Sequence, residues 1–294
     1  MRPLAIALIR QRYAGDGGAE RFVARMLDTL KDHARLTLIT REWDRVQGFE
    51  VLACNPFYIG RWWRDRSFAR DVCRLVATRR FDLVQSHERI ACCDIYRAGD
   101  GLHREWLKNR ARALGPLARL GTVFNPYHRY LLAAERRLFE SPRLRAVVCN
   151  SRMVRDEIKR HFGLPDEKLH VIYSGVDTAV YHPDLKHERA TVRASLGIAP
   201  AAPLFLFVGS GFERKGLPAA LRALAQWPAA HLLVIGRDRR GARYQVLARK
   251  LGLGARVQFL GALPDVKPYY GAADALLLPT LYDPFPNVAL EAMA

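Results

Sequence analysis

Short apolar runs alternate with stretches of helical period along the whole chain. Leu4 to Ile9, Leu36 to Thr40, Glu50 to Ala53, Phe81 to Ser86 and Ala146 to Asn150 are rich in Val, Ile and Leu and are bounded by Gly, Pro or polar residues. Runs of that length and composition predict buried strands. Between them, Glu20 to Leu30 sets Phe22, Val23, Met26, Leu27 and Leu30 on one helical face, and Phe68 to Val76 does the same with Phe68, Val72, Leu75 and Val76. The rhythm continues with strands at Leu204 to Val208, Leu232 to Ile235, Val257 to Leu260 and Ala275 to Leu278, separated by helices near Lys215 to Gln226, Tyr244 to Leu251 and Val266 to Ala273. Strand and helix in alternation predict an α/β chain whose parallel sheets carry helices on both faces.

The 294 residues have room for two such domains. They are expected at 1–165 and 166–294, with the connection near His170 to Asp177, where Ser174 and Gly175 mark a turn. Two tandem sheets of this kind take ligands in a cleft at the carboxyl ends of their strands. Pro286 to Ala294 reads as a helix with no stop signal after it, so the second domain is expected to be cut short at its C-terminus.

A chain that is 50% hydrophobic and 26% charged is neither disordered nor fibrous. Its net charge of +18 is lopsided, because residues 1–165 carry 32 basic and 18 acidic side chains and residues 166–294 carry 15 and 11. Nucleic-acid phosphate, an anionic membrane surface, an acidic small molecule or simple solvation would each account for it. Gly101 to Arg145 holds ten Lys or Arg against three Glu, without an RNA-binding aromatic motif or zinc spacing, so no nucleic acid is expected. The five cysteines form an odd set, all in the first half, with Cys92 and Cys93 adjacent. Reduced thiols, no disulfide framework, no metal site and a cytoplasmic setting are expected from them. The N-terminus lacks a signal-peptide cleavage site, and no apolar run reaches the ~18 residues that a bilayer span needs.

Two segments carry chemistry. Val208 to Leu217 follows a strand, packs three glycines into eight residues and sets Arg214 and Lys215 where a helix begins. Backbone amides, a helix dipole and two cations meeting at one place suit a diphosphate, although a flexible turn with solvated cations has the same composition. The spacing matches neither a P-loop nor the dinucleotide fingerprint. In Asp283 to Ala292 the two acids Asp283 and Glu291 flank a helix start, where they can hold sugar and ribose hydroxyls or merely complement the dipole.

Taken with RYAGDGGAERF after the first strand, QSHER, YRAGDGLHREW, VCNSRMVRDEI, the linker VIYSGVD, and FLGAL, these segments resemble the retaining nucleotide-sugar glycosyltransferases of family four over nearly the whole chain. Within that family the chain is most similar to the lipopolysaccharide core glycosyltransferases, particularly those that glucosylate the first inner-core heptose. The resemblance implies a GT-B fold of two facing Rossmann-like domains, the first on the acceptor side and the second binding the nucleotide sugar. It implies a UDP-sugar donor, a lipopolysaccharide core acceptor, no cofactor and no metal, with Arg214 and Lys215 neutralising the diphosphate. Gly17 and Gly18 would approach the phosphates, Glu291 would hold the ribose, Asp283 the donor sugar, and Asp100 would be catalytic. His87 and Glu88 are read as shaping the acceptor side of the cleft, with a core histidine as the alternative for His87. Asp283 stands where the family usually has Glu, one methylene longer, and Ser210 and Asp100 stand where many members carry Arg and His. The basic, aromatic surface implies a peripheral enzyme on the cytoplasmic face of the inner membrane. A nucleotide-sugar epimerase of the same architecture and a basic nucleic-acid-binding protein are the rival readings.

Overall fold

The computed structural model describes residues 3–12, 29–30, 33–42 and 50–294. The chain forms two compact units, Met1–Tyr173 and Ser174–Ala294.

In the first unit β1 (Leu4–Ile9), β2 (Ala34–Thr40), β3 (Glu50–Ala53), β4 (Leu83–Ser86), β5 (Ile95–Ala98), β6 (Ala146–Cys149) and β7 (Leu169–Val171) form one parallel sheet in the order β3-β2-β1-β4-β5-β6-β7. Its order reverses between β1 and β4, and the carboxyl ends on either side of that point are where such sheets expose ligand-binding residues. The register aligns Ile9 with Ser86 and Ser86 with Tyr96, so β1 and β4 end in step while β5 runs on to Ala98. The unit runs past the division expected after Pro165, because β7 hydrogen-bonds to β6 and completes the sheet before the chain leaves it.

Helices α1 (Gly60–Thr78), α2 (His103–Arg112), α3 (Pro116–Val123), α4 (Pro126–Phe139) and α5 (Arg152–Phe162) cover this sheet. Helix α5 shows why its sequence is helical: Ser151 caps it by accepting from Val154 N–H, basic residues fill its last turn, and Gly163 closes it at φ 65°. Helix α1 extends well beyond the apolar Phe68 to Val76 pattern, since its first turns hold exposed arginines and tryptophans that periodicity does not report. The helix expected at Glu20 to Leu30 lies almost wholly outside the described residues, as do Gly17 and Gly18.

Cys73 on α1 and Cys92 after β4 are joined by a disulfide, with their Cα atoms 5.7 Å apart. This corrects the expectation of reduced thiols: the packing of α1 against the sheet brings together two cysteines whose spacing in sequence carries no signature. The remaining three, Cys54, Cys93 and Cys149, are free and buried. Among the described residues no helix is long and apolar enough to cross a membrane.

The second unit has the parallel sheet β10-β9-β8-β11, made of β8 (Leu204–Val208), β9 (His231–Ile235), β10 (Val257–Gly261) and β11 (Ala275–Leu276). Helices α6 (Arg189–Ser195), α7 (Leu217–Ala225), α8 (Gly241–Lys250), α9 (Lys267–Ala272) and α10 (Asn287–Met293) complete it. Arg193, 2% exposed, donates to the carbonyls of Ala199, Pro200, Ala202 and Ala272 and to the carboxylate of Asp274. Asp274 in turn accepts from Leu204 N–H and so ties α6 and α9 to the entrance of β8. A single guanidinium satisfying that many buried acceptors is the polar counterpart of the apolar core around it.

In the first unit, His103 Nε2 lies 3.1 Å from His128 Nδ1, and both rings pack on Trp106. Burial, then Arg89, His128 and Arg61, push the His103 imidazole from an ordinary 6.5 down to about 3. Between those values the unfolded chain binds the extra proton, so this contribution to stability is fully present above the unfolded pKa and is lost as pH falls toward the folded one. The urea midpoint is expected to drop between about pH 7 and pH 4, and His103→Gln is expected to flatten that fall. Equal slopes for the two proteins would contradict the assignment.

Candidate active site

The turn from β8 into α7 is built by close backbone approaches. A Cβ on Gly216, at φ 81°, would collide with the Pro279 carbonyl, and one on Gly236 would collide with the carbonyl of Gly209. Only glycine lets these segments meet. Residues Arg214 to Gly216 therefore lie against the chain after β11: Leu281 N–H and Thr280 Oγ1 both donate to the Arg214 carbonyl at 2.9 Å.

That contact sets the charges. Lys215 Nζ donates to Asp283 Oδ2, and Arg214 Nη1 stands 3.6 Å from the same oxygen. Lys215 and Asp283 are both nearly buried, whereas the Arg214 side chain is 39% exposed. Burial is the leading cause that lowers the Lys215 pKa, partly offset by Asp283, with Arg214 lowering it further. The arrangement is two cations on one carboxylate, with one positive charge in excess. The excess positive charge suits the cluster to receive an anion. Glu291, on α10, is buried and accepts from Tyr270 Oη at 2.9 Å. The helix that Arg214 and Lys215 were expected to begin starts after them, at Leu217, and Leu217 N–H is already bonded to the Phe212 carbonyl.

In the first unit Asp100 is exposed on the turn between β5 and α2. Three groups fix that turn. Asn150 Nδ2 donates to the Gly99 carbonyl at 2.9 Å, and Arg89 Nη2 donates to the Gly101 carbonyl at 3.0 Å. Glu135, 1% exposed, accepts from Arg89 Nε at 2.9 Å and from the N–H groups of His103 and Arg104, which caps α2. Asn150 Oδ1 is buried with no partner among the described residues, an acceptor held beside Asp100's turn. Sequence reasoning passed over Arg89, Glu135 and Asn150 as separate actors; QSHER, which ends on Arg89, and the Asn-Ser pair ahead of α5 were their visible traces. His87 is buried, and burial followed by Arg97 and Arg10 lowers its pKa well below the ordinary value. It is therefore a neutral imidazole.

Two Rossmann-like parallel-sheet units in tandem, the second with a cationic glycine turn after its first strand, are the parts of a GT-B glycosyltransferase. The chain belongs to glycosyltransferase family 4: residues 16–180 match Glycosyltransferase Family 4 and residues 188–294 match Glycosyl transferases group 1. It is 26% identical over 300 residues to the lipopolysaccharide glucosyltransferase WaaG of Escherichia coli, covering 99% of this chain and 78% of that protein. A crystal structure of WaaG, a glycosyltransferase involved in lipopolysaccharide biosynthesis, superposes with a TM-score of 0.82 at 25% identity, over 98% of this chain and 78% of that one. A probable transglycosylase of Burkholderia thailandensis is 30% identical over 94% of this chain and 71% of its own length. Anabaena HepE in complex with UDP-glucose shares the fold, with a TM-score of 0.68 at 19% identity over 99% of this chain and 78% of that one.

Removing the carboxylate at position 283 tests the cluster. Asp283→Ala leaves a nearly buried ammonium uncompensated, and a loss of about 3–5 kcal/mol of stability is expected. Added pyrophosphate should raise the melting temperature of this variant more than that of the parent; an unchanged melting temperature without pyrophosphate would show that Lys215 does not need the pair.

Proposed function

We propose that the protein is a retaining hexosyltransferase that moves glucose or a related hexose from a UDP-sugar to a lipopolysaccharide core heptose or a similar lipid-linked acceptor. The observation that carries this reading is the pairing of Arg214 and Lys215 with Asp283 in a family 4 chain. The family relation to WaaG and the UDP-glucose complex of HepE supply the substrate classes.

In this reading Arg214 and Lys215 take the donor diphosphate and stabilise the charge that grows on it as the glycosidic bond breaks, the electrostatic contribution that usually dominates such sites. Two fixed cations supply what a divalent metal would otherwise supply, so transfer is metal-independent. Asp283, released from Lys215 by the incoming phosphate, turns to a sugar hydroxyl, and Glu291 holds the ribose. Gly17 and Gly18 lie outside the described residues and keep their proposed place at the phosphates. Retention requires the acceptor hydroxyl to arrive on the face that the diphosphate leaves, where a phosphate oxygen takes its proton. Asp100 orients that hydroxyl or stabilises the positive anomeric centre. The first unit is thus the acceptor domain and the second the nucleotide-sugar domain.

The experiment is transfer of labelled glucose from UDP-glucose to a core oligosaccharide ending in heptose. Asp100→Ala should cut turnover by a factor of roughly 100 or more with donor affinity unchanged. Near-parent turnover would remove Asp100 from the mechanism, and no transfer to any heptose acceptor would contradict the substrate class.

The protein's place is the cytoplasmic face of the inner membrane. Phe57, Ile59, Trp62 and Trp63 are exposed around the start of α1, and Leu120, Val123 and Phe124 on and after α3. Arg61, Arg66, Arg104, Lys108, Arg110, Arg112, Arg119 and Arg129 supply the charge. Exposed aromatic and aliphatic side chains with arginines around them make a peripheral anchor. Sedimentation is expected with phosphatidylglycerol vesicles at low salt and to weaken as salt rises; equal binding to neutral vesicles, or none to either, would contradict it.

A further inference from the structure

The register of the first sheet places three basic residues in one row. Ile9, Ser86 and Tyr96 are aligned across β1, β4 and β5, and His87 N–H donates to the Ile9 carbonyl at 3.0 Å. The residues that follow are Arg10 and His87, just beyond β1 and β4, and Arg97 within β5, so the three lie next to one another at the carboxyl end of the sheet, about 4.8 Å apart from strand to strand. Arg97 stands within an otherwise apolar strand and is 9% exposed; His87 is 7% exposed and the Arg10 side chain 16%. The guanidinium of Arg97 rests on the Cα of Gly99, where any Cβ would displace it. It therefore lies over the turn that carries Asp100.

Taking two guanidinium groups out of water in one row is costly. Burial is the leading cause that pushes Arg97 down to about 10, with Arg10 adding to it and Asp100 opposing it, and the same two arginines help keep His87 neutral. Two carboxylates stand at the edges of the row. Glu88 is 3.6 Å from Arg10 and also accepts from Gln11 N–H, and Asp100 is exposed to solvent. Gln85 Nε2 lies 3.2 Å from His87 Nε2. The row thus sets two guanidinium groups about a neutral imidazole, groups whose chemistry suits the oxygens of a compact oxyanion.

We propose that Arg10, His87 and Arg97 bind an oxyanion carried by the acceptor, a phosphate monoester or a carboxylate, and thereby select which acceptor hydroxyl meets Asp100. The inference rests on the reading of the first unit as the acceptor domain. It adds a specificity subsite that the donor chemistry does not require.

The test has two arms on the intact protein with UDP present to fill the donor site. In the first, inorganic phosphate and acetate are titrated while the His87 imidazole resonance, assigned with His87→Gln, is followed by NMR. A saturable shift is expected from at least one of the two, and which of them acts identifies the oxyanion. Arg97→Met should weaken it at least tenfold and Arg97→Lys less, with melting temperature and UDP affinity unchanged in both. In the second arm, transfer is compared between core acceptors that carry their phosphate and carboxyl groups and the same acceptors after dephosphorylation or carboxyl reduction. Arg97→Met should raise KM for the anionic acceptor at least tenfold and leave the neutral one unaffected. Absence of Arg97-dependent oxyanion binding, or equal loss on both acceptors, overturns the proposal. Arg97-dependent oxyanion binding without transfer to any acceptor would sustain the subsite and overturn the transferase reading instead.

Discussion

A lysine ammonium withdrawn from water must keep a counter-charge close by, and the second unit is arranged around supplying one to Lys215. The glycine turn after β8 presses against the chain that follows β11, and this contact brings Asp283 onto Lys215 and into reach of Arg214. Without that crossing the two cations would be ordinary surface charges. With it they form a compact, partly desolvated cluster in which a diphosphate can replace or share the carboxylate at little reorganisation cost. The Arg193 and Asp274 clamp holds the entrance of β8 from the other end, so the strand that feeds the turn is fixed at both its termini.

The first unit solves a different problem, which is to keep an exposed acid in one orientation on a glycine-flanked turn. Asn150 and Arg89 hold the carbonyls on either side of Asp100, and buried Glu135 ties Arg89 to the N-terminus of α2. The flexibility that Gly99 and Gly101 would confer is removed by side chains from three other elements. The place of Asp100 thus depends on side chains that lie far from it in sequence.

Much of this was legible in the sequence. The short apolar runs gave β1, β8 and β9 nearly to the residue, since largely buried strands leave a continuous apolar signature. The glycine spacing and the acid at 283 pointed to the second unit's cluster, whereas Glu291 bonds to Tyr270. The ion pair between Lys215 and Asp283 was not visible, because it joins residues 68 apart through a backbone crossing. Helix α2 is too polar and α3 too short for periodicity to reveal, the 14-residue α4 registers in the sequence only as part of the basic run from Gly101 to Arg145, and the disulfide joins cysteines without diagnostic spacing. The row of Arg10, His87 and Arg97 escaped for a topological reason: it exists only when β1, β4 and β5 are laid side by side in their correct register.

The central claim is that protein cations alone hold the donor's diphosphate. Calorimetric titration of UDP into the protein in excess EDTA, repeated with Lys215→Ala, tests it most directly. The parent should bind UDP undiminished by chelator, and the variant should bind at least tenfold more weakly, as expected when about 1.5–3 kcal/mol of charge-assisted hydrogen bonding is lost. Binding that disappears in EDTA and returns with manganese, or a variant that binds UDP as tightly as the parent, would contradict the account.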